Sequence, residues 1–193
     1  MAKKKTLPAA STIFKAAFDR IDADGPKSFA VDLVADDLNV EPGLLAPMFN
    51  DLSSLASAFG RFVDQSVAAE VGDVAGGTDE PAVDRLFEVL MARFDAIQPY
   101  RAGLIALGKE APREPQLLSE FACIVPNSMQ EMLSLAGLLA KRPKRGLQVV
   151  GLTALWLRCV RVWMKDESED MAKTMATLDK SLKDASSIAR RLF

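Results

Sequence analysis

Few residues in this chain can do acid–base or metal chemistry. There is no histidine. That removes the side chain that titrates nearest neutral pH and the commonest transition-metal ligand. Cys123 and Cys159 are far apart, each in an apolar helical pattern, and no CxxC is present. They read as buried free thiols in a reducing, cytoplasmic compartment. Glu110, Arg113 and Glu114 form a loop cluster that reads as solvated. No glycine-rich phosphate loop and no metal-spaced ligand set occurs. The chain is therefore expected not to be an enzyme and to need no metal or cofactor.

Recognition chemistry is better represented. Lys3, Lys4 and Lys5 form a basic start, either a solvated terminus or an arm that reaches a DNA groove. From Ser28 to Gly60 there is no Lys or Arg, while Asp32, Asp36, Asp37, Glu41 and Asp51 fall in that stretch. Net charge is −2, so no overall basic field draws nucleic acid to the protein. The second half is rich in Phe, Met and Leu. Phe87, Leu90, Met91, Phe94, Leu104, Phe121, Met129, Met132 and Trp156 are candidate pocket residues, because methionines pack adaptably around apolar ligands. Tyr100 or Arg158 would supply the polar end of such a pocket. Arg158 and Arg161 share a helix face and suit either an acidic ligand group or an ion pair.

The elements that must position these residues are all helical. The chain has 193 residues, 49% apolar and 26% charged, the composition of a soluble globular protein. Ile13, Phe14, Ala17, Phe18 and Ile21 stripe a first helix over about 8–24, which Gly25 ends. Ser28 is placed to cap a second, Asn39 to leave it in a left-handed turn, Pro42 to open a third and Asp51 to cap a fourth. "GDVAGGTDEP" (72–81) reads as a linker. A helix with Val83, Phe87, Leu90, Phe94 and Ile97 follows, and Pro99 opens a short one. Pro126 should kink or split the segment 116–139. The apolar stretch 146–164 contains Arg158 and Arg161 and reads as a core helix, not a membrane span. The last helix repeats Met171, Met175, Leu178, Leu182, Ala185 and Ala189 at heptad spacing, which predicts a subunit interface.

"LNVEPGLLAPMFNDLSSL" (38–55) carries a resemblance. Val34-Ala35, then Val40, Pro42, Gly43, Leu45 and Phe49, match the framework of the helix-turn-helix in the TetR family of bacterial repressors. That resemblance implies an all-α TetR-like fold of about nine helices, binding DNA as a homodimer and sensing a small molecule. The expected organisation is a helix-turn-helix unit at 1–50, a connecting helix at 51–72 and a ligand-binding and dimerisation domain at 73–193. By the same resemblance, Gly43, Leu44 and Met48 fall on the DNA-facing side together with the lysine arm. Departures fall on that side too. Glu41, Ala46, Pro47, Met48 and Leu52 stand where the family has Ser, Tyr, Arg, His and Lys. Phosphate contacts need cations or donors, so weak or degenerate operator binding is expected.

A second resemblance lies in "VWMKDESEDMAKTMATLDKSL" (162–182). Trp163, Asp166, Ser168, Asp170, Thr174 and Leu178-Asp179 are similar to the C-terminal segment of the Coq-nine ubiquinone-biosynthesis proteins, which have a TetR-like fold and bind lipids. That likeness implies a lipid- or isoprenoid-binding accessory protein without DNA binding. The expected partners are a second copy, a DNA operator, and an apolar small molecule or lipid, with no integral membrane segment.

Overall fold

The computed structural model describes residues 6–72 and 80–192, with side chains to Ser187. Lys3–Lys5, Ala189 and most of the 72–81 linker lie outside these bounds. The described residues are helical. α1 is Ala10–Asp24, α2 Val31–Leu38, α3 Pro42–Leu45, α4 Leu52–Val71 and α5 Ala82–Ile97. α6 is Arg101–Glu110, α7 Pro115–Leu135, α8 Lys144–Trp163 and α9 Ala172–Leu192. No helix among them is long and apolar enough to cross a membrane.

The chain forms two compact units. One unit gathers residues 1–63 with 97–124, the other 64–96 with 125–193. α4 and α7 each contribute residues to both.

In the first unit the stripe of α1 is the core. Ile13, Phe14, Ala17, Phe18 and Ile21 are all buried. Phe14 meets Phe59 at 5.4 Å between ring centroids, Phe18 meets Phe59 at 4.5 Å, and Tyr100 closes on Phe59 at 4.9 Å. Edge-on aromatic packing of this kind adds about 0.5–1.5 kcal/mol per pair beyond simple burial. α6 crosses α1 at Gly103. A methyl group at that position would sit 2.8 Å from both the carbonyl carbon and Cβ of Phe18. Only glycine lets the two backbones meet there.

Asp51 caps α4 as its sequence position predicts. Ser54 N–H donates to Asp51 Oδ1 at 2.7 Å, and Asp51 N–H donates back to Ser54 Oγ at 3.0 Å. The bond from Ser54 N–H first, and the one its hydroxyl donates to the same oxygen at 2.7 Å, hold the Asp51 carboxyl below its ordinary range. Ser28 does not cap α2. It lies in a short 3-10 turn, Pro26–Ser28, and α2 begins two residues after Phe29 with Ala30 at its N-cap. Pro126 does not split its segment. α7 runs through it, and the two units divide at Ile124/Val125, beside that proline.

In the second unit α8 and α9 pack together. Leu152, Trp156, Cys159 and Trp163 face inward from α8. The turn between the helices is organised by Asp166, which is 5% exposed. Its carboxylate accepts from Ser168 N–H at 3.2 Å and Ser168 Oγ at 2.5 Å. It also accepts from Thr174 N–H and Thr174 Oγ1, both at 2.8 Å. Ser168 Oγ in turn accepts from Ala172 N–H at 3.0 Å, the cap expected of it. Met171 takes a left-handed φ of 52° in this turn. That conformation costs a non-glycine residue about 1–2 kcal/mol, which the hub offsets.

Burial alone would raise the Asp166 pKa, but the bonds from Ser168 and Thr174 outweigh it and hold the carboxyl well below the usual range. A depressed folded-state pKa gives stability that is present above the unfolded value of about 3.9 and lost as pH falls below it. Asp166→Asn should therefore cost about 2–3 kcal/mol at neutral pH, and the gap to wild type should narrow in acid below about pH 4. Urea melts at pH 7 and pH 3 measure this. An equal gap at both values would mean that the carboxylate charge contributes nothing.

Candidate functional site

The helix-turn-helix of the first unit is built from ordinary local rules. α2 ends at Asn39, whose φ of 53° and ψ of 44° are left-handed. Val40 N–H donates to Ala35 carbonyl at 2.9 Å, closing the turn. Pro42 then starts α3 with Glu41 at its N-cap. Val34, Ala35, Val40, Leu45 and Phe49 are at most 1% exposed, so the framework residues form the small core between the helices. α3 is only four residues long; Ala46 and Pro47 follow it in a turn.

Of the residues expected to face DNA, Gly43 is exposed, and Leu44 and Met48 are half-buried. Asp32, Asp36, Asp37, Glu41 and Asp51 are all exposed. Asp37 accepts from Arg20 Nε at 3.0 Å, which ties α1 to α2. This stretch is thus acidic, and an acid within a Debye length of a phosphate repels it.

Residues expected to line an apolar pocket are spread over both units. Tyr100, Leu104 and Phe121 belong to the first, where Tyr100 packs on Phe18, Phe59 and Phe62. Phe87, Leu90, Met91, Phe94, Met129, Met132, Trp156 and Arg158 belong to the second. There Leu90, Phe94, Met129 and Met132 are fully buried, and Phe94 stacks on Trp156 at 4.4 Å. Phe87 and Met91 are half-buried. Arg158 is exposed and does not point its charge into this core.

The polar group in that core is one the sequence reading passed over. Arg93 of α5 is 7% exposed and pairs through its guanidinium with Asp64 of α4. Ser128 of α7 donates to the other Asp64 oxygen at 2.8 Å, and the Arg93 head lies 5.5 Å from the Trp156 ring centre. Burial pushes the Arg93 pKa down and Asp64 opposes that. An arginine still keeps its charge at such a site. Arg93 Nε is buried without a hydrogen-bond partner. A signal was available: Arg93 falls three after Leu90 and four after Val89, on the buried stripe of α5.

On the last helix Met171, Leu178 and Leu182 are 6%, 0% and 4% exposed in the single chain, on a helix that packs against α8. Met175 and Ala185 are exposed. The inward face is turned toward Thr174 and Ser181, at 0% and 6% exposed, because Thr174 bonds the Asp166 hub. Open apolar surface also lies on α8. Leu147 and Val150 are each 66% exposed and Leu157 is 42% exposed, and all three lie on one helical face with Gly151 and Ala154.

The thiols and the loop cluster also differ from expectation. Cys123 is exposed while Cys159 is buried. Glu110 is not solvated: its side chain is 14% exposed, with Lys27 Nζ at 3.2 Å and Arg113 at 3.7 Å.

Whole-chain comparison places this architecture. A TetR transcriptional regulator from Nitrosomonas europaea ATCC 19718 superposes with a TM-score of 0.75 at 20% identity, over 93% of this chain and 99% of that one. This chain has the TetR fold. A protein assigned as a TetR-family transcriptional regulator from Rhodococcus sp. gives a TM-score of 0.59 at 22% identity, covering 90% and 96% of the two chains. One assigned as a fatty acid metabolism regulator from Clostridium perfringens gives 0.56 at 15%, covering 90% and 97%. No protein-family model and no curated protein sequence matches the chain. Within the TetR fold, the residues behind the Coq-nine likeness have a local account, since Asp166, Ser168 and Thr174 are the hydrogen-bond hub between α8 and α9.

Proposed function

We propose that this protein is a TetR-type regulator that acts as a homodimer, responds to an apolar effector in its second unit, and grips DNA weakly. The observation that carries the reading is likeness along nearly the whole chain to a TetR regulator, joined to an intact helix-turn-helix turn at Asn39. The open face of α8 supports the dimer. Leu147, Val150 and Leu157 give it apolar area, and Gly151 and Ala154 let a second helix approach closely. The flexible Met91, Met129 and Met132 in the second unit suit an adaptable apolar site. The stretch around α3, which holds five acids and no Lys or Arg from Ser28 to Gly60, limits operator affinity.

Three measurements test this reading. Anisotropy of random duplex DNA at about 150 mM salt should give dissociation constants no tighter than about 10⁻⁴–10⁻⁶ M. Nanomolar binding would overturn weak recognition. Sedimentation equilibrium should find a dimer, and Leu147→Asp/Val150→Asp should give a folded monomer, because a buried charge on each side of the two-fold costs several kcal/mol. A monomeric wild type at micromolar concentration would remove the dimer. A rise in melting temperature with fatty acyl chains would support the effector site.

A further inference from the structure

Two clefts in the first unit adjoin. One, of about 410 Å³, opens between α2 and α3 over Ala30, Val31, Pro42 and Ala46. The other, of about 330 Å³, lies among the turn before α2, the start of α4 and the start of α7. Phe29 and Asn50 line both, so the two clefts adjoin as a furrow lined by polar and apolar side chains in similar measure. Its walls carry Asp32, Asp51, Glu110 and Glu114, against a single cation, Lys27. Among the described residues Glu110 Oε1 has no hydrogen-bond partner; Lys27 stands 3.2 Å from it and Arg113 3.7 Å from the other oxygen.

We propose that this furrow docks a basic segment of a partner protein, one that alternates Arg or Lys with apolar residues. The charge selects the class of occupant. The four carboxylates outnumber Lys27 in the lining and Arg113 beside Glu110, so the furrow repels the phosphates of DNA and of an anionic membrane alike and favours cationic side chains. The apolar lining selects the rest. Phe29, Val31, Pro42 and Ala46 offer apolar contact that a purely cationic tail leaves unused. The helix-turn-helix thereby presents a protein-binding surface on the side where its framework would set a DNA reader. The inference goes beyond the regulator reading and does not depend on the α8 dimer, so the two fail separately.

The test uses the full chain and a short fluorescein-labelled peptide alternating Arg with Leu. Anisotropy should show binding that weakens steeply as salt rises from about 50 to about 500 mM. Asp32→Lys/Glu114→Lys should weaken it by about tenfold or more. Glu88→Lys/Glu131→Lys makes the same change in net charge at exposed positions outside the furrow and should leave it within about twofold. Ala46→Trp should weaken it by blocking the furrow, and a peptide with Glu in place of Arg should not bind. If the lysine variants lose their helical circular dichroism, Asp32→Asn/Glu114→Gln gives the same comparison without a charge reversal. Equal loss in the furrow and control variants would overturn the proposal, because binding would then follow net charge alone. Tighter binding of duplex DNA than of the peptide would overturn it as well.

Discussion

Gly103→Ala should destabilise the first unit by about 3 kcal/mol, more than an extra methyl costs at an ordinary helix surface. The added carbon would lie 2.8 Å from two atoms of Phe18, one of them its carbonyl carbon, in the backbone of α1. A flexible side chain could turn away, but a backbone inside a helix cannot. α1 and α6 would have to separate, and the cluster of Phe14, Phe18, Phe59 and Tyr100 would lose its fit. Gly146→Ala is the matched control. A methyl there meets nothing within 4 Å, and replacing a helical glycine should stabilise by about 0.5–1 kcal/mol. Urea titration of the two variants measures both. If Gly103→Ala matched wild type, the close approach of the helices would carry no energetic weight.

Asp64→Ala should cost about 3–5 kcal/mol, because it leaves the Arg93 charge buried without its counter-ion. For a chain of this length that lowers the melting temperature by about 10 °C or more. Trp156 at 5.5 Å compensates only in part, since a ring face supplies about 1–2 kcal/mol to a cation. The double variant Arg93→Met/Asp64→Leu should recover most of the loss, because an apolar pair of similar volume avoids the desolvation penalty of two charges. Calorimetry on wild type, single and double variants closes the comparison. A double variant as unstable as Asp64→Ala would show that the charge itself, and not its missing partner, matters to the packing.

Much of the fold was legible in the sequence, for identifiable reasons. The stripe of α1, the cap at Asp51 and the left-handed exit at Asn39 depend on residues within a few positions of one another. Local pattern reading captures such features. The framework of the helix-turn-helix was legible for the same reason: Val40, Leu45 and Phe49 fill a core made by one short stretch. The heptad of α9 did not reveal that Thr174 and Ser181, which look like surface residues, lie on its inner face. Thr174 is drawn inward by Asp166, eight residues away in an intervening turn, and the buried face rotates with it. Gly103 carried no local signal, since its need arises only where α6 meets α1. Arg93 did carry one, on the buried face of α5, but its partner Asp64 sits on another helix, 29 residues earlier. The acidic lack of cations from Ser28 to Gly60 was plain in the sequence. The furrow it borders was not, because Glu110 and Glu114 join it from a distant part of the chain.

The unequal burial of the two thiols gives the protein a built-in clock. Cys123 is exposed on α7 and should react with a thiol reagent at once. Cys159 is 0% exposed on the inner face of α8, and burial raises its pKa while Ser181 and Arg158 oppose that rise. It can react only when α8 and α9 part, so its slow phase of labelling reports how often that seam breathes. A ligand that tightens the second unit would lengthen that phase and leave the fast one untouched. The two rates, read from one trace, separate local opening from any change in the reagent itself.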